Sequence, residues 1–382
     1  PRPDEDEACG RVVVHTAATG LGTRTEAMAG GGSSRRQGRT QMSIGTAVIG
    51  VGHWGPNIAR NLATEPDVEL RWVVDRDPDR LEQVKESLPA VRTSTEVDDV
   101  WSDAEVDAVA IATPTTTHDS LVGQALRSGK HVLVEKPITN NSSVGEGLVQ
   151  LASDQDLVLM VGHVFLFNEA ILAAKRIIDS GELGELFHIA MVRTNLGPIR
   201  YDVNVSWDLA PHDVSIANYL LGSQAVGVSA VSGSWINPDI ADAVFATLRY
   251  PNEVLVNLHL SWLSPRKVRD ITVVGSEKML TIDDLNVGEP IRIHDKWVSD
   301  DRLTPAWIDN YLSFRSSIRD GAIHIPKVNL SEPLAAECRH FLECVRSGET
   351  PRSDGGFGVD VVKVLEAVDR SIEASGREEP VA

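Results

Sequence analysis

The sequence predicts an α/β Rossmann domain followed by an α+β domain with a large, open, mostly antiparallel sheet. Three observations lead there. Gly50, Gly52 and Gly55 lie between a short apolar strand and a helix. The stretch Asp107 to Thr139 reads as a buried strand, a Thr-Pro turn, a crossover helix, a glycine stop at Gly129 and a second buried strand, the unit from which parallel sheets are built. From Leu186 onward strand follows strand in alternating pattern, as in an antiparallel sheet with one covered face.

Taken in order, residues 1–41 mix Gly, Arg, Ser and Thr with no sustained period and no secretory apolar core, which predicts disorder. The folded protein is expected to begin near Met42, a residue that would also serve as a biological start. A Rossmann domain over 43–162 then precedes a substrate-binding and oligomerisation domain over 163–382.

The first motif is TAVIGVGHWGPNIARNLATEPDVELRWVVD, ending at Asp75. Its first glycine permits a tight turn, its second lets backbone approach a pyrophosphate, and its third lets helix and strand pack closely. An acid stands 20 residues beyond Gly55, at the end of the next strand. Asp75 would accept both ribose hydroxyls of NAD and repel a 2'-phosphate. Arg76 follows it and would stack on adenine or neutralise that phosphate, so NADP stays possible. His53 and Trp54, between the glycines, join the candidate cofactor contacts.

Residues 77–105 read as a further helix and short strand, and the Asp107 unit then brings Thr113-Pro114 beside Glu135-Lys136-Pro137. Ligands of open parallel sheets bind at the carboxyl ends of strands, so the chemistry is expected there. After a helix beginning in NNSSVGEGLVQLASDQ, LVLMVGH is the sixth strand. GHVFLFN follows, with a helix after Asn168 that stops at Ser180-Gly181.

A second chemical cluster lies in GPIRYDVNVSWDLAPHDVSIANYLLG. Asp208 stands where a helix is expected to begin, Pro211 suits its first turn, and His212 shares a face with Asp208 four residues away. A helix amino end would keep His212 neutral and able to take a proton. Standing alone, Asp208 would be a helix cap and His212 a packed histidine. Beyond them come the strands VGVSAVSGSWI, DAVFATLRY, EVLVNLHLSWLS, VRDITVVGSE and KMLTIDD, and two amphipathic helices that should pack back onto the core. The free face of such a sheet is expected to pair, giving a homodimer or homotetramer.

Composition narrows the function. The net charge is −19 with no block of basic residues, which argues against nucleic acid and anionic membrane as partners. An anionic substrate would be held by local cations, and Arg193, Arg200, Arg266 and Lys267 are the candidates. Cys9, Cys338 and Cys344 show no metal-ligand pairing and suit a reducing cytoplasm. No metal site is expected, and no apolar run approaches the ~20 residues of a membrane span.

Thr113, Pro114, His118, Gly129, Lys130, His131, Val132, Glu135, Lys136 and Pro137 stand together in a pattern that resembles the signature of the Gfo/Idh/MocA oxidoreductases, relatives of glucose-fructose oxidoreductase and inositol dehydrogenase. The resemblance runs from about residue 43 to 380 and includes that family's Asp-x-x-x-His spacing at Asp208 and His212, with Ala210 in place of a frequent glycine. It implies cofactor contacts from Thr113, Pro114, His118, Glu135 and Lys136 and a cis peptide before Pro137. It also implies that His163 and Asn168, in a Gly-His-x-Phe-x-x-Asn variant similar to nucleotide-sugar members, lie near nicotinamide or sugar. The expected activity is hydride transfer between nicotinamide and a secondary hydroxyl or ketone of a sugar, most simply a nucleotide-linked sugar at C3. Lys136 would polarise the oxygen, His212 would carry the proton and Asp208 would orient them. A free polyol or inositol dehydrogenase, a glycosidase using bound NAD, and a regulatory nicotinamide-binding protein are the alternatives.

Overall fold

A computed structural model of the chain describes residues 43–298, 318–329 and 331–382. The expected disorder of residues 1–41, the start at Met42 and Cys9 lie outside the described residues. The first layer is a six-stranded parallel sheet in the order β3-β2-β1-β4-β5-β6. Its strands are β1 (Ile44–Ile49), β2 (Val68–Val74), β3 (Arg92–Ser94), β4 (Ala108–Ile111), β5 (His131–Glu135) and β6 (Leu159–Gly162). They are joined by α1 (Gly55–Thr64), α2 (Pro78–Ser87), α3 (Asp98–Ser102), α4 (His118–Arg127) and α5 (Ser142–Asp154). The strands carry apolar residues on both faces because helices cover both. In β5, Leu133 joins the core shared with the second sheet, while Val132 and Val134 pack with Val122, Leu126 and Leu148 on the other side. The order reverses direction between β1 and β4, which opens a crevice at their carboxyl ends.

The second layer follows α6 (Glu169–Asp179). It comprises β7 (Leu186–Leu196), α7 (Val205–Leu221), β8 (Gly227–Gly233), β9 (Ala243–Arg249), β10 (Leu255–Ser261), β11 (Leu263–Gly275), β12 (Met279–Asp283), β13 (Ile291–Val298) and β14 (Ile318–His324). The chain closes with α8 (Pro333–Ser347), α9 (Gly355–Glu373) and β15 (Glu379–Pro380). The nine strands run in the order β14-β13-β12-β11-β7-β10-β9-β8-β15, antiparallel except for β7 beside β10. One sheet face is buried under helices. The other carries Val231, Phe245 and Leu255 at 39% exposure or more, with Phe245 stacked on His259.

The closing helices belong to both layers. Ser353 Oγ donates to Val161 O of β6, and the Val161 amide donates to Ser353 O. Along α9, Ser142 at the start of α5 donates to Glu366 and Lys363 pairs with Glu146, while Ala230 of β8 donates to Ser371 Oγ. The last helix therefore clamps a Rossmann helix to the second sheet, although it was expected within the second domain. Leu365→Ala, in a side chain with no exposed surface, should cost about 2–5 kcal/mol and lower one shared thermal transition. Two separated transitions in calorimetry would contradict the clamp.

Candidate active site

Each glycine of the first motif answers to a different constraint. Gly50 has φ +88°, and a Cβ there would lie 2.7 Å from Thr113 Cγ2 and 2.8 Å from Ala112 O. At Gly55 a Cβ would fall 2.0 Å from Gly50 O, so α1 can start this close to β1 only with glycine. A Cβ on Gly52 would meet only Arg80 Nη1, at 3.5 Å, and would otherwise point into the cleft. That is the glycine whose bareness serves a ligand, because backbone there can approach a pyrophosphate. Pro56 sits in the first turn of α1, where its missing amide costs nothing, and no side chain caps that end.

Asp75 holds the loop from below. Its Oδ2 accepts from the Val51 amide at 2.7 Å and its Oδ1 from the Asp77 amide at 2.9 Å. Arg80 of α2, which sequence reasoning passed over, brings Nη1 to 3.8 Å from the same carboxylate, and it lines the cleft with Arg76. An arginine five residues past the acid, on the helix that follows, was the available signal.

The cleft has a volume of about 990 Å³ and runs from this loop, past Thr113–Thr117, to Glu135, Lys136, Pro198, Arg200 and Asp208. His53 and Trp54 flank its glycine end, Trp54 at 44% exposure. The strand-end glycines, the acid beneath them and the room beyond fit a dinucleotide. Gly50, Gly52, Gly55, the amino end of α1 and Asp75 are the residues that would hold it.

Lys136 lies at the junction of the two layers. The Lys136–Pro137 peptide is cis. The Lys136 ammonium donates to the backbone carbonyl of Asp208 in α7 at 3.0 Å. Burial lowers its pKa, and the charges of Asp208 and Glu135 oppose that fall. The Asp208 carboxylate is engaged elsewhere: Oδ1 accepts from Arg200 Nη1 at 3.1 Å and Oδ2 from Trp262 Nε1 at 3.0 Å. Trp262, 1% exposed at the turn between β10 and β11, is a second residue that sequence reasoning missed. Glu135, whose Oε2 accepts from the Lys136 amide, is pushed up to about 7 by burial, with the Lys136 charge pulling the other way.

Several expectations are corrected by these positions. The helix bearing Asp208 and His212 starts three residues earlier, capped by Asn204 through the Trp207 amide, so Pro211 lies inside it and His212 about two turns from its amino end. The helix end therefore cannot keep His212 neutral. Burial does so, reinforced by the nearby charges of Lys136, Arg193 and Arg269, and holds it well below the ordinary histidine value. Nδ1 of His212 has no hydrogen-bond partner, so Asp208 shares its helix face without orienting it by a bond. The edge of Phe165 meets its ring, with centroids 5.0 Å apart.

His118 is not a cofactor contact. It is 1% exposed, and its nitrogens lie 2.9 Å from Pro137 O and 2.9 Å from Thr113 O, so it fastens the two strand ends to one another. Lys130 and His131 of the same signature are likewise spent on backbone, at Asp103 O, Val106 O and the Val158 amide. Arg193 is 6% exposed and paired with Asp213 at 2.7 Å, its guanidinium 4.6 Å from the Phe165 ring centroid, rather than facing a substrate. Asn168 caps α6 through the Ala170 amide and donates to Asp284. His163 is buried with both nitrogens unpartnered and its pKa pushed down to about 3 by burial and the Lys136 charge. Arg266 and Lys267 are exposed at the irregular start of β11 and do not line the cleft. Of the candidate cations, Arg200 alone reaches the cleft beside Lys136 and Asp208.

Fold and cleft together define a nicotinamide-dependent oxidoreductase, with a lysine between the nucleotide loop and a second, sheet-based layer. Two family models match the chain: the oxidoreductase family with NAD-binding Rossmann fold over residues 44–163, and the GFO/IDH/MocA C-terminal domain over residues 171–281. The chain belongs to the Gfo/Idh/MocA oxidoreductase family. It is 29% identical to scyllo-inositol 2-dehydrogenase (NAD(+)) of Bacillus subtilis over 80% of this chain and 87% of that one. It is 28% identical to UDP-N-acetylglucosamine 3-dehydrogenase of Acidithiobacillus ferrooxidans over 86% of this chain and 97% of that one. A solved structure of the latter enzyme superposes with a TM-score of 0.73, covering 87% and 98% of the two chains at 27% identity.

The buried carboxyl of Glu135 makes a testable link between pH and stability. Its folded value, about 7, lies above the ordinary 4.5, so the folded state retains a proton that the unfolded chain has already released. Its contribution to stability is therefore lost as pH rises from 4.5 to 7. Glu135→Gln should gain on the parent across that window, by up to about 3 kcal/mol, and the gain should be level above it. Urea unfolding at several pH values measures this; a gain independent of pH would contradict it.

Proposed function

We propose that this enzyme oxidises a secondary hydroxyl of a nucleotide-linked sugar at C3, or reduces the matching ketone, with NAD as partner. The observation that carries the reading is the Lys136 ammonium, which reaches from the strand end of the nucleotide cleft to the Asp208 carbonyl of α7. NAD, when bound, supplies the hydride acceptor. Lys136 sits where an alkoxide developing beside the nucleotide loop needs a positive neighbour. His212, held neutral by burial close to Lys136, is the group to take the hydroxyl proton. Asp208 neutralises Arg200 and anchors Trp262, and through its helix it fixes the carbonyl that steers Lys136.

Arg200, partly exposed at the substrate end, supports a diphosphate-bearing substrate, as does likeness to a UDP-N-acetylglucosamine 3-dehydrogenase over 97% of its length. A free inositol is the second reading, favoured by an equal likeness to scyllo-inositol 2-dehydrogenase. Asp75 supports NAD, since its carboxylate lines the cleft below the glycine loop, with Oδ2 on the Val51 amide; Arg76 and Arg80 give NADP a secondary place. The open sheet face around Phe245 and Leu255 supports pairing of two copies as a homodimer, and a homotetramer can build on the same contact. Cys338 and Cys344 are buried and free, in keeping with the cytoplasm, and no helix among the described residues is long and apolar enough to cross a membrane.

Lys136→Ala should lose about a thousandfold in kcat while binding NAD as before, read by turnover and by nucleotide titration. A fully active variant would end this mechanism. Asp75→Ser should lose at least about tenfold of its preference for NAD over NADP in kcat/KM, and an unchanged ratio would remove Asp75 from cofactor choice.

A further inference from the structure

At the substrate end of the cleft the Arg200 guanidinium has both of its edges taken by carboxylates. Nη1 donates to Asp208 Oδ1 at 3.1 Å, while Nε and Nη2 donate in parallel to Asp202 Oδ1 and Oδ2, at 3.0 Å and 2.5 Å. A planar fork matched to two carboxylate oxygens is matched as well to two oxygens of a phosphate. An anion entering the cleft therefore meets an arginine whose donors are already engaged.

The two partners are not alike. Asp208 belongs to α7, its side chain is 21% exposed, and its other oxygen accepts from Nε1 of the buried Trp262. Its backbone carbonyl also steers Lys136, so moving Asp208 off Arg200 would unsettle the centre of the site. Asp202 stands in the stretch between β7 and α7, its side chain 66% exposed and outside the lining of the cleft. An ion pair that open to water is held weakly. The backbone around it is tied down at both ends, with the Gly197 amide on Trp262 O at 3.1 Å and the Val205 amide on Ala241 O at 3.0 Å. The Asp202 side chain can thus turn out to solvent while the frame around Arg200 keeps its place.

We infer that Asp202 is a displaceable counter-ion that sets the preference of this site for strongly anionic substrates. Before substrate binds it occupies the Nε/Nη2 edge of Arg200, and the diphosphate of a nucleotide-linked sugar takes that edge in its place. Two phosphoryl groups outcompete one carboxylate there, whereas a neutral polyol leaves the pair intact. The inference rests on the nucleotide-sugar reading above; Arg200 is the binding residue and Asp202 acts through it. Calorimetric titration of UDP into the full chain saturated with NAD tests it. Asp202→Asn, which removes the charge and keeps the shape, should tighten UDP binding about fivefold. Arg200→Gln should weaken binding about tenfold, and adding Asp202→Asn to that variant should change nothing further. An Asp202→Asn protein that binds UDP no better than the parent would overturn the inference. So would a gain that persists in the Arg200→Gln background, because it would report overall charge and not release of Arg200. Should Arg200→Gln not fold, uridine, which lacks the diphosphate, serves as the control. A gain from Asp202→Asn with UDP alone supports the exchange, and an equal gain with uridine overturns it. Failure of the nucleotide-sugar reading alone looks different: the UDP titrations follow the stated pattern and support the exchange at Arg200, yet UDP-N-acetylglucosamine gives no reduced nicotinamide.

Discussion

The structure depends on keeping one ammonium group charged where water is scarce. Lys136 leaves the end of β5 and meets the carbonyl of Asp208 in α7, so a single side chain joins the nucleotide-binding sheet to the second layer. Burial works against its charge, and the surroundings answer with Glu135 alongside and Asp208 across the cleft. Asp208 is in turn fixed by Arg200 and Trp262. A shift of α7 against β5 would break the contact, and α9 opposes it by holding α5 and β8 and by accepting from Trp207 Nε1 of α7 at Asp369.

Burial, seconded by the same positive layer, decides the state of the histidines. His163 and His212 are buried near Lys136, and both are held neutral by desolvation with its charge second. Arg193 and Arg269 deepen the effect at His212, and their guanidinium groups lie over the ring of Phe165, whose edge meets His212. In the mechanism proposed above, such an imidazole takes the carbinol proton as the hydride leaves.

Much of this was legible in the residues, for stated reasons. The parallel sheet followed from strands apolar on both faces, and the glycine loop from spacing between strand and helix. What misled was local grammar applied where tertiary structure rules. Pro211 suits a first turn by its usual preference, yet Asn204 caps the helix and the proline sits inside it, with Ala210 and Val214 buried beside it. His118 belonged to a ligand-binding pattern, but its two nitrogens serve carbonyls that bring the strand ends together. Arg193 reads as a substrate contact because the sequence shows its charge and not its partner, Asp213 on another element. Trp262 carries no motif; only the folding of distant segments brings it to Asp208.

The central claim is that a sugar carbinol surrenders its hydride beside Lys136. The measurement that tests it most directly is transfer from UDP-N-acetylglucosamine deuterated at C3, incubated with the enzyme and NAD and followed by mass spectrometry of the nicotinamide. The account predicts reduced nicotinamide that carries the deuterium, formed more slowly than from the unlabelled sugar. Reduced nicotinamide without deuterium, or formed only when an inositol replaces the nucleotide sugar, would contradict it.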